Sequence, residues 1–264
     1  MSEKIKNYLD HLVEKYNKPS FIGEDPICLP HRFSQKQDIE IIGFWVAILA
    51  WGQRKTIIKS GERLLELMDN SPYDFVLNHS DQDLKGFEKF VHRTFQPTDA
   101  LYFIHFFKKY YQEHDTLETA FSNNIASSDT NVENGLTAFA KNFFDDPYAP
   151  KRTHKHIASP LRKSTCKRIN MFLRWMVRSN ETHVDFGLWK NIRTDQLLMP
   201  YDVHVERNAR KLGLVSRKQR DWKTVVELTE NLKQFDPADP VKYDFALFGL
   251  GVLAKDDPDF MELI

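Results

Sequence analysis

One very apolar segment constrains the fold of this chain more than any other feature. Residues 39–51 place apolar side chains on every side of a helix, and Asp38 stands where it could cap the first turn. A helix without a polar face has to be buried all round, so this segment predicts a central core helix. The segment is also too short to span a bilayer.

Helical periodicity continues along most of the chain, and no segment alternates as a half-buried strand does. Pro72 opens one further helix, and Thr98 can cap another over residues 99–113. The ends of the chain are expected to be short docking or frayed pieces. The remaining pattern predicts helices over residues 132–144, 166–178 (capped by Ser164 or Thr165), 203–212, 222–235 and 240–250, with the longest loop over residues 145–164.

These patterns predict an all-α protein, either as a single domain over residues 1–264 or as two helical lobes with a cleft between them. Hydrophobic residues make up 41% and aromatic residues 13% of the chain, which is ample for a packed core. Cys28 and Cys166 are the two cysteines, too few for a four-cysteine metal site or a secreted disulfide framework. We therefore expect no metal, and no cofactor is expected either. We also expect a cytoplasmic monomer without a membrane segment.

The distribution of charge gives the first indication of function. Lys and Arg together number 37, as do Asp and Glu, so the net charge itself predicts no polyanionic partner. Residues 147–180, however, contain no acidic residue at all. This segment predicts a local anion-binding surface. The alternative is that acidic neighbours in space balance its charges. Its cations are Lys151, Arg152, Lys155, Arg162, Lys163, Lys167, Arg168, Arg174 and Arg178.

Two potentially reactive side chains stand where a loop becomes a helix. Lys167 lies in the first turn of its predicted helix beside Arg168, and both the helix N-terminus and the guanidinium disfavour an ammonium there. Asp202 precedes the helix 203–212, where a carboxylate could stabilise a developing cation or accept a proton. The simpler interpretations are a phosphate-binding lysine and an N-cap aspartate. His204 has no second ligand at helical spacing, which argues against a metal site.

The two segments around these residues resemble the helix-hairpin-helix DNA glycosylase superfamily, the fold of endonuclease III, and within it the archaeal 8-oxoguanine glycosylase branch. The run 166–173 is similar to the start of the family's lysine-bearing helix, and the run 200–207 to its aspartate-bearing segment. The chain also resembles a bacterial family common in Bacteroidetes whose function is inferred only through this superfamily. The resemblance covers residues 38–78 and 160–251, and it implies that Lys167 and Asp202 are the catalytic pair.

The resemblance implies further site residues. Base recognition would fall to Gln53, Trp51, Asp244 and Phe248. Core packing is the alternative interpretation of both helices that carry these residues, and it explains Phe248 equally well. The family's hairpin uses glycines to hold a phosphate, whereas residues 159–165 contain none. The expected fold is thus a glycosylase-like bundle with an altered, glycine-poor hairpin. Its expected DNA-binding side chains are Arg162, Lys163, Arg168, Lys155 and Arg152.

The resemblance implies a nucleoid-associated base-excision repair enzyme with glycosylase and AP lyase activity. Its expected partner is double-stranded DNA that contains a damaged base, with an oxidised purine such as 8-oxoguanine as the lesion. Two alternatives remain open from the sequence. One is a nucleic-acid-binding module of the same fold without catalysis, and the other is a hydrolase of a small phosphorylated substrate.

Overall fold

The computed structural model describes residues 2–179, 181–252, Phe260 and Leu263. Within them the chain forms twelve α-helices joined by short 3-10 helices, and its β-structure amounts to one bridge between His92 and Phe95. The predicted all-α class is confirmed. The helices are α1 (Glu3–Tyr16), α2 (Lys36–Leu49), α3 (Arg54–Leu67), α4 (Pro72–Asn78), α5 (Asp81–Leu84), α6 (Pro97–Tyr111), α7 (Thr119–Ser122), α8 (Glu133–Phe143), α9 (Lys167–Val177), α10 (Val203–Lys211), α11 (Trp222–Lys233) and α12 (Tyr243–Val252).

The chain divides into two compact units. Unit 1 consists of residues 1–21, 126–133 and 159–264, and it contains α1 and α9 to α12. Unit 2 consists of residues 22–125 and 134–158, and it contains α2 to α7 and nearly all of α8. Each unit is therefore assembled from segments that are distant in the sequence.

Unit 2 is built around α2. Every residue of this helix from Asp38 to Leu49 is buried, as its unbroken apolar surface predicts. Phe44 packs against rings of α6 and α8, with centroids 5.8 Å from Phe107 and 5.4 Å from Phe139. Edge-to-face pairs of this kind add stability beyond the area they bury. The aromatic cluster fixes α2, α6 and α8 as the core of the unit.

Unit 1 is organised around α12, which packs against both α1 and α10. Two glycines allow these close approaches. A Cβ atom on Gly249 would lie 2.4 Å from Cδ2 of Tyr16 in α1, and one on Gly251 would lie 2.5 Å from Cβ of His204 in α10. Because a side chain at either position would collide with its neighbour, the sequence of α12 determines how near the flanking helices come.

Several helix ends differ from the predicted ones. Helix α2 begins at Lys36, and Asp38 does not cap it but accepts a hydrogen bond from the backbone amide of Tyr73 at 2.8 Å. Helix α6 is capped by a box of Gln96 and Asp99, so Thr98 lies inside its first turn. The predicted loop 145–164 contains two short 3-10 helices.

Of the two expectations for the ends of the chain, docking describes the N-terminal segment and fraying does not, although the docked segment is longer than expected. Helix α1 has 14 residues and buries Leu9 and Leu12. Its pairing with α12 explains why an amphipathic segment at the very start of the chain is ordered, since most helical stability comes from the packing of one apolar face. No described helix is long and apolar enough to cross a membrane.

Candidate functional site

Three titratable side chains of unit 1 lie at the N-terminal ends of three helices. Lys167 is the first residue of α9, Asp202 is the N-cap of α10, and Asp244 is the second residue of α12. Lys167 and Asp202 both act electrostatically on the Asp244 carboxyl group. The fold thus brings these three residues into one electrostatic neighbourhood from positions spread over the second half of the chain.

Asp202 caps α10 with one of its two carboxylate oxygens. Oδ1 accepts hydrogen bonds from the backbone amides of His204 at 2.8 Å and Val205 at 3.0 Å. This cap uses amides that otherwise have no partner in the helix. The structural role predicted for Asp202 is therefore present. Since both bonds end on Oδ1, capping fixes the orientation of the carboxylate without involving Oδ2.

Asp244 is buried, and its environment favours the neutral acid. Burial is the largest effect and raises the pKa of Asp244 to about 6, with Asp202 and Asp185 adding to the rise. Arg174 and Lys167 act in the opposite direction, and Arg174 donates a short hydrogen bond to Asp244 Oδ2. A carboxyl group that titrates near neutral pH next to a lysine and a second carboxylate is typical of a functional site.

A buried network of alternating charges holds Arg174 in place. Arg174 Nε donates to Asp185 Oδ1 at 3.2 Å, and Arg178 Nη1 donates to Asp185 Oδ2 at 3.0 Å. Arg178 also donates to Asp239 Oδ2 at 2.8 Å, and the Arg174 guanidinium lies 4.5 Å from the ring centroid of Phe245. Sequence reasoning treated both arginines as members of the basic segment. Their spacing of four residues on the buried stripe of α9 was the available signal that they point inward.

Lys167 is half-buried, and its Nζ atom lies 3.4 Å from Met171 Sδ one turn along α9. No salt bridge within the described residues involves Lys167. A cation in the first turn of a helix faces the positive end of the helix dipole, which costs on the order of 0.3–1 kcal/mol. The lysine amine is thus not committed to a structural ion pair.

The loop before α9 lies where the resemblance places the hairpin, and it turns without glycine. Lys163 and Cys166 both adopt left-handed backbone angles, with φ of 56° and 50°. Glycine is the residue that adopts this region without a steric cost, so a lysine and a cysteine here carry strain. Ser164 Oγ supports the turn by accepting the Cys166 amide at 3.2 Å, rather than capping α9 as predicted. Arg162 and Lys163 in this loop are exposed.

The other predicted site residues of unit 1 flank this centre. Phe248 is half-buried and meets His204 edge to face, with ring centroids 6.1 Å apart. Arg168 is half-buried beside Lys167, and burial lowers the pKa of its guanidinium to about 10.

Trp51 and Gln53 belong to unit 2. Gln53 is exposed and is the N-cap residue of α3, without a capping bond from its side chain. One face of the Trp51 ring is covered by Arg93, whose Cζ atom lies 4.5 Å from the ring centroid. A base could stack only on the face that Arg93 leaves open.

Acidic neighbours neutralise part of the basic segment, as the alternative interpretation predicts. In unit 2, Arg152 pairs with the buried carboxylate of Asp99, which also accepts from Thr153 Oγ1 at 2.7 Å and lies 3.2 Å from His156 Nε2. Although burial alone would raise it, hydrogen bonds from His156, Thr153 and the Gln96 amide lower the pKa of Asp99 to about 2. Arg152 therefore has a structural partner, whereas Lys155 is exposed.

Among the described residues, no group of three or more His, Cys, Asp or Glu side chains is placed to hold a metal ion. An amine, a capped carboxylate and a carboxyl group with a pKa near 6 could together perform nucleophilic attack and proton transfer.

Comparison with known proteins gives one match. No curated protein and no solved structure matches the chain significantly. The profile of the family DUF2400, described as a protein of unknown function, matches residues 25–253. This range includes Lys167, Asp202 and Asp244 as well as most of both units. The chain therefore belongs to the DUF2400 family.

Proposed function

We propose that this protein is a DNA glycosylase that excises a damaged base through a covalent lysine intermediate and then acts as an AP lyase. One observation carries the proposal: Lys167, Asp202 and Asp244 lie at the N-termini of three helices. Asp202 raises the pKa of the Asp244 carboxyl group, and Lys167 lowers it. The resemblance of the segments 166–173 and 200–207 to helix-hairpin-helix glycosylases selects this chemistry among those an amine and carboxylates can perform.

In the proposed reaction the damaged nucleotide first leaves the base stack, at a cost of roughly a few kcal/mol. Lys167 Nζ, as the free amine, forms a bond to C1′ of the sugar. The bond between C1′ and the base nitrogen breaks, and its electron pair leaves with the base, which takes up a proton from water. Asp202 stabilises the positive charge that develops on the sugar and accepts the proton that Nζ releases. Opening of the sugar ring then gives the Schiff base from which strand cleavage follows.

Asp244 and Phe248 are the proposed contacts to the extruded base in unit 1. The Asp244 carboxyl group, with its pKa near 6, can present either a donor or an acceptor to the edge of the base. Phe248 offers the exposed part of its ring for stacking, which is worth on the order of 1–3 kcal/mol per base. An oxidised purine such as 8-oxoguanine is the proposed lesion.

A panel of duplexes tests the proposal directly. The wild-type protein is incubated with duplexes carrying 8-oxoguanine, uracil, an alkylated base or an abasic site, and base release and strand cleavage are measured. We expect release from at least one lesion, and its loss in both Lys167→Gln and Asp202→Asn. The exposed Lys190 and the N-cap Asp221 supply matched controls, since Lys190→Gln and Asp221→Asn change the same residue types elsewhere in unit 1.

Three outcomes would contradict parts of this proposal. Salt-sensitive DNA binding without release of any base would favour a non-catalytic module. Binding that does not strengthen with duplex length would favour a small phosphorylated substrate. Base release that survives both Lys167→Gln and Asp202→Asn would remove these residues from the chemistry.

A further inference from the structure

Unit 2 has a surface to which three segments contribute exposed cations and no acidic residue: residues 50–61, residues 89–98 and residues 147–158. We call this surface the basic face. Its principal cations, all exposed, are Lys55, Lys59, Arg93, Lys151 and Lys155.

Side-chain contacts join the first two segments. Arg93 spans them, because its guanidinium covers Trp51 and a Cβ atom on Gly52 would lie 2.8 Å from its Nη1 atom. Ser60 Oγ lies 2.8 Å from His92 Nδ1, so the turn at residues 91–95 runs alongside the first two turns of α3. The cations of α3 and of this turn therefore share one surface.

The third segment attaches to the other side of the same turn. Arg152 donates to the carbonyl oxygen of Thr94 at 3.2 Å, and the His156 ring lies 5.0 Å from that of Phe95. The segment 151–155 is a 3-10 helix that carries Lys151 and Lys155 at its two ends. The fold thus gathers cations that are separated by up to a hundred residues in the sequence.

Two carboxylates that border the basic face are paired with residues outside it, Glu62 with Arg32 at 2.9 Å and Asp146 with Lys109 at 3.1 Å. Asp99 contacts the third segment, but it is buried and paired with Arg152 and His156. Within the described part of the chain, no salt bridge involves any of the five exposed cations. In a protein with equal numbers of acidic and basic residues, such a concentration of unpaired cations creates a local positive potential.

We propose that the basic face of unit 2 binds the sugar-phosphate backbone of duplex DNA, in addition to the centre in unit 1. Lys55 and Lys59 are one helical turn apart, about 6 Å along the axis of α3. Duplex DNA carries a charge about every 1.7 Å along its axis, so each cation of the face can meet a phosphate. The choice of DNA among polyanions rests on the proposed function.

A membrane surface fits the basic face less well. Peripheral binding to lipid needs large apolar side chains that enter the headgroup region together with the cations. The three segments expose two large apolar side chains, Val91 in the second segment and Tyr148 at the start of the third. Neither forms part of an amphipathic helix.

The salt dependence of DNA binding tests the proposal. A fluorescent duplex without a lesion is titrated with full-length protein at several salt concentrations, and binding is followed by anisotropy. The variant Lys55→Gln/Lys59→Gln removes two exposed cations of the face. Lys85→Gln/Lys141→Gln removes two exposed lysines of unit 2 outside the three segments. Thermal unfolding checks that both variants remain folded.

Each phosphate contact contributes about 0.9 to the slope of log K against log salt, so the Lys55/Lys59 variant should lower that slope by about 2. Between about 50 and about 200 mM salt, the wild-type protein should then lose roughly tenfold more affinity than this variant. The Lys85/Lys141 control should match the wild type. Equal slopes for all three proteins, or no DNA binding by the wild type, would overturn the proposal.

Two further results separate this proposal from its alternatives. Vesicles that contain phosphatidylserine serve as a second probe; if only vesicle binding depended on Lys55 and Lys59, the partner would be a lipid surface and the proposal would be wrong. Base release with unchanged slopes would refute the basic face but leave the proposed function standing. A lowered slope without base release from any lesion would support the basic face and refute the proposed function.

Discussion

The two roles of Asp202, helix capping and charge stabilisation, can be separated by mutation. In the structure Oδ1 alone accepts the amides of His204 and Val205. Asn keeps an oxygen in that position, whereas Ala removes it. Asn and Asp are about equally good N-cap residues, so Asp202→Asn preserves the cap and removes only the negative charge.

The expected magnitudes follow from these bonds. Loss of an N-cap side chain costs about 1 kcal/mol, with a range of about 0.5–2 kcal/mol. For a chain of this size, 1 kcal/mol corresponds to a Tm lower by roughly 2–4 °C. We therefore expect Asp202→Ala to lower the Tm by that amount and Asp202→Asn to change it by less than about 1 °C. The loss of charge should slow base release by about a hundredfold or more in both variants.

Asp221 provides the matched control for this experiment. It caps α11 and accepts the amide of Thr224 at 3.1 Å, but no catalytic role is proposed for it. Asp221→Ala should lower the Tm at least as much as Asp202→Ala does, because Asp221 also pairs with Arg217 at 2.9 Å, while leaving base release at the wild-type rate. Differential scanning calorimetry and single-turnover base release on the responsive duplex are the two measurements.

Either of two results would refute this reasoning. Wild-type base release by Asp202→Asn would show that the charge has no part in the reaction and that Asp202 is only a cap. A Tm for Asp202→Asn as low as that for Asp202→Ala would show that the ionised carboxylate, rather than an oxygen acceptor, stabilises α10.

Three further predictions concern stability. The pKa of Asp99 is lowered from its ordinary 3.8 to about 2, so the ionised carboxylate adds about 2 kcal/mol to the free energy of unfolding above pH 3.8, and this contribution is lost as the pH falls through 2. In urea unfolding, the difference in free energy of unfolding between the wild type and Asp99→Asn should therefore shrink between pH 6 and pH 3. The pKa of Asp244 is raised to about 6, so its contribution is present below pH 3.8 and is lost as the pH rises through 6. Between pH 4 and pH 7 the free energy of unfolding of the wild type should therefore fall by about 3 kcal/mol relative to that of Asp244→Asn. Parallel curves of unfolding free energy against pH for the two proteins would contradict this. Gly249→Ala should lower the free energy of unfolding by about 1–3 kcal/mol because its Cβ would meet the ring of Tyr16 at 2.4 Å; an unchanged urea midpoint would contradict the close packing of α1 on α12.

The sequence predicted the helical class and the buried α2 because both depend on local periodicity. It placed the start of α10 correctly because an Asp directly before an apolar stripe is a strong capping signal. It misplaced the start of α2, where Asp38 bonds to Tyr73 instead, a contact between residues far apart in the chain. It also missed α1, since the partner that stabilises it, α12, lies at the other end of the sequence.

The candidate site shows the same limit. Lys167 and Asp202 could be chosen from their positions at helix starts, but Arg174 and Arg178 were counted among the cations of a surface. Their spacing of four residues indicated an inward face, but their partner Asp185 lies outside the acid-free segment, and no sequence pattern links it to them. The pairing of Arg152 with Asp99 was hidden for the same reason. Charge runs in a sequence do not reveal which of their members fold inward.

Borohydride trapping tests the central claim most directly. The wild-type protein is mixed with the lesion-containing duplex under reducing conditions, and covalent protein–DNA adducts are separated by denaturing electrophoresis. The proposed lysine intermediate predicts an adduct whose DNA-linked peptide contains Lys167, absent in Lys167→Gln and retained in Lys190→Gln. An adduct attached to another lysine, or base release without any adduct, would contradict the assignment of Lys167 as the nucleophile.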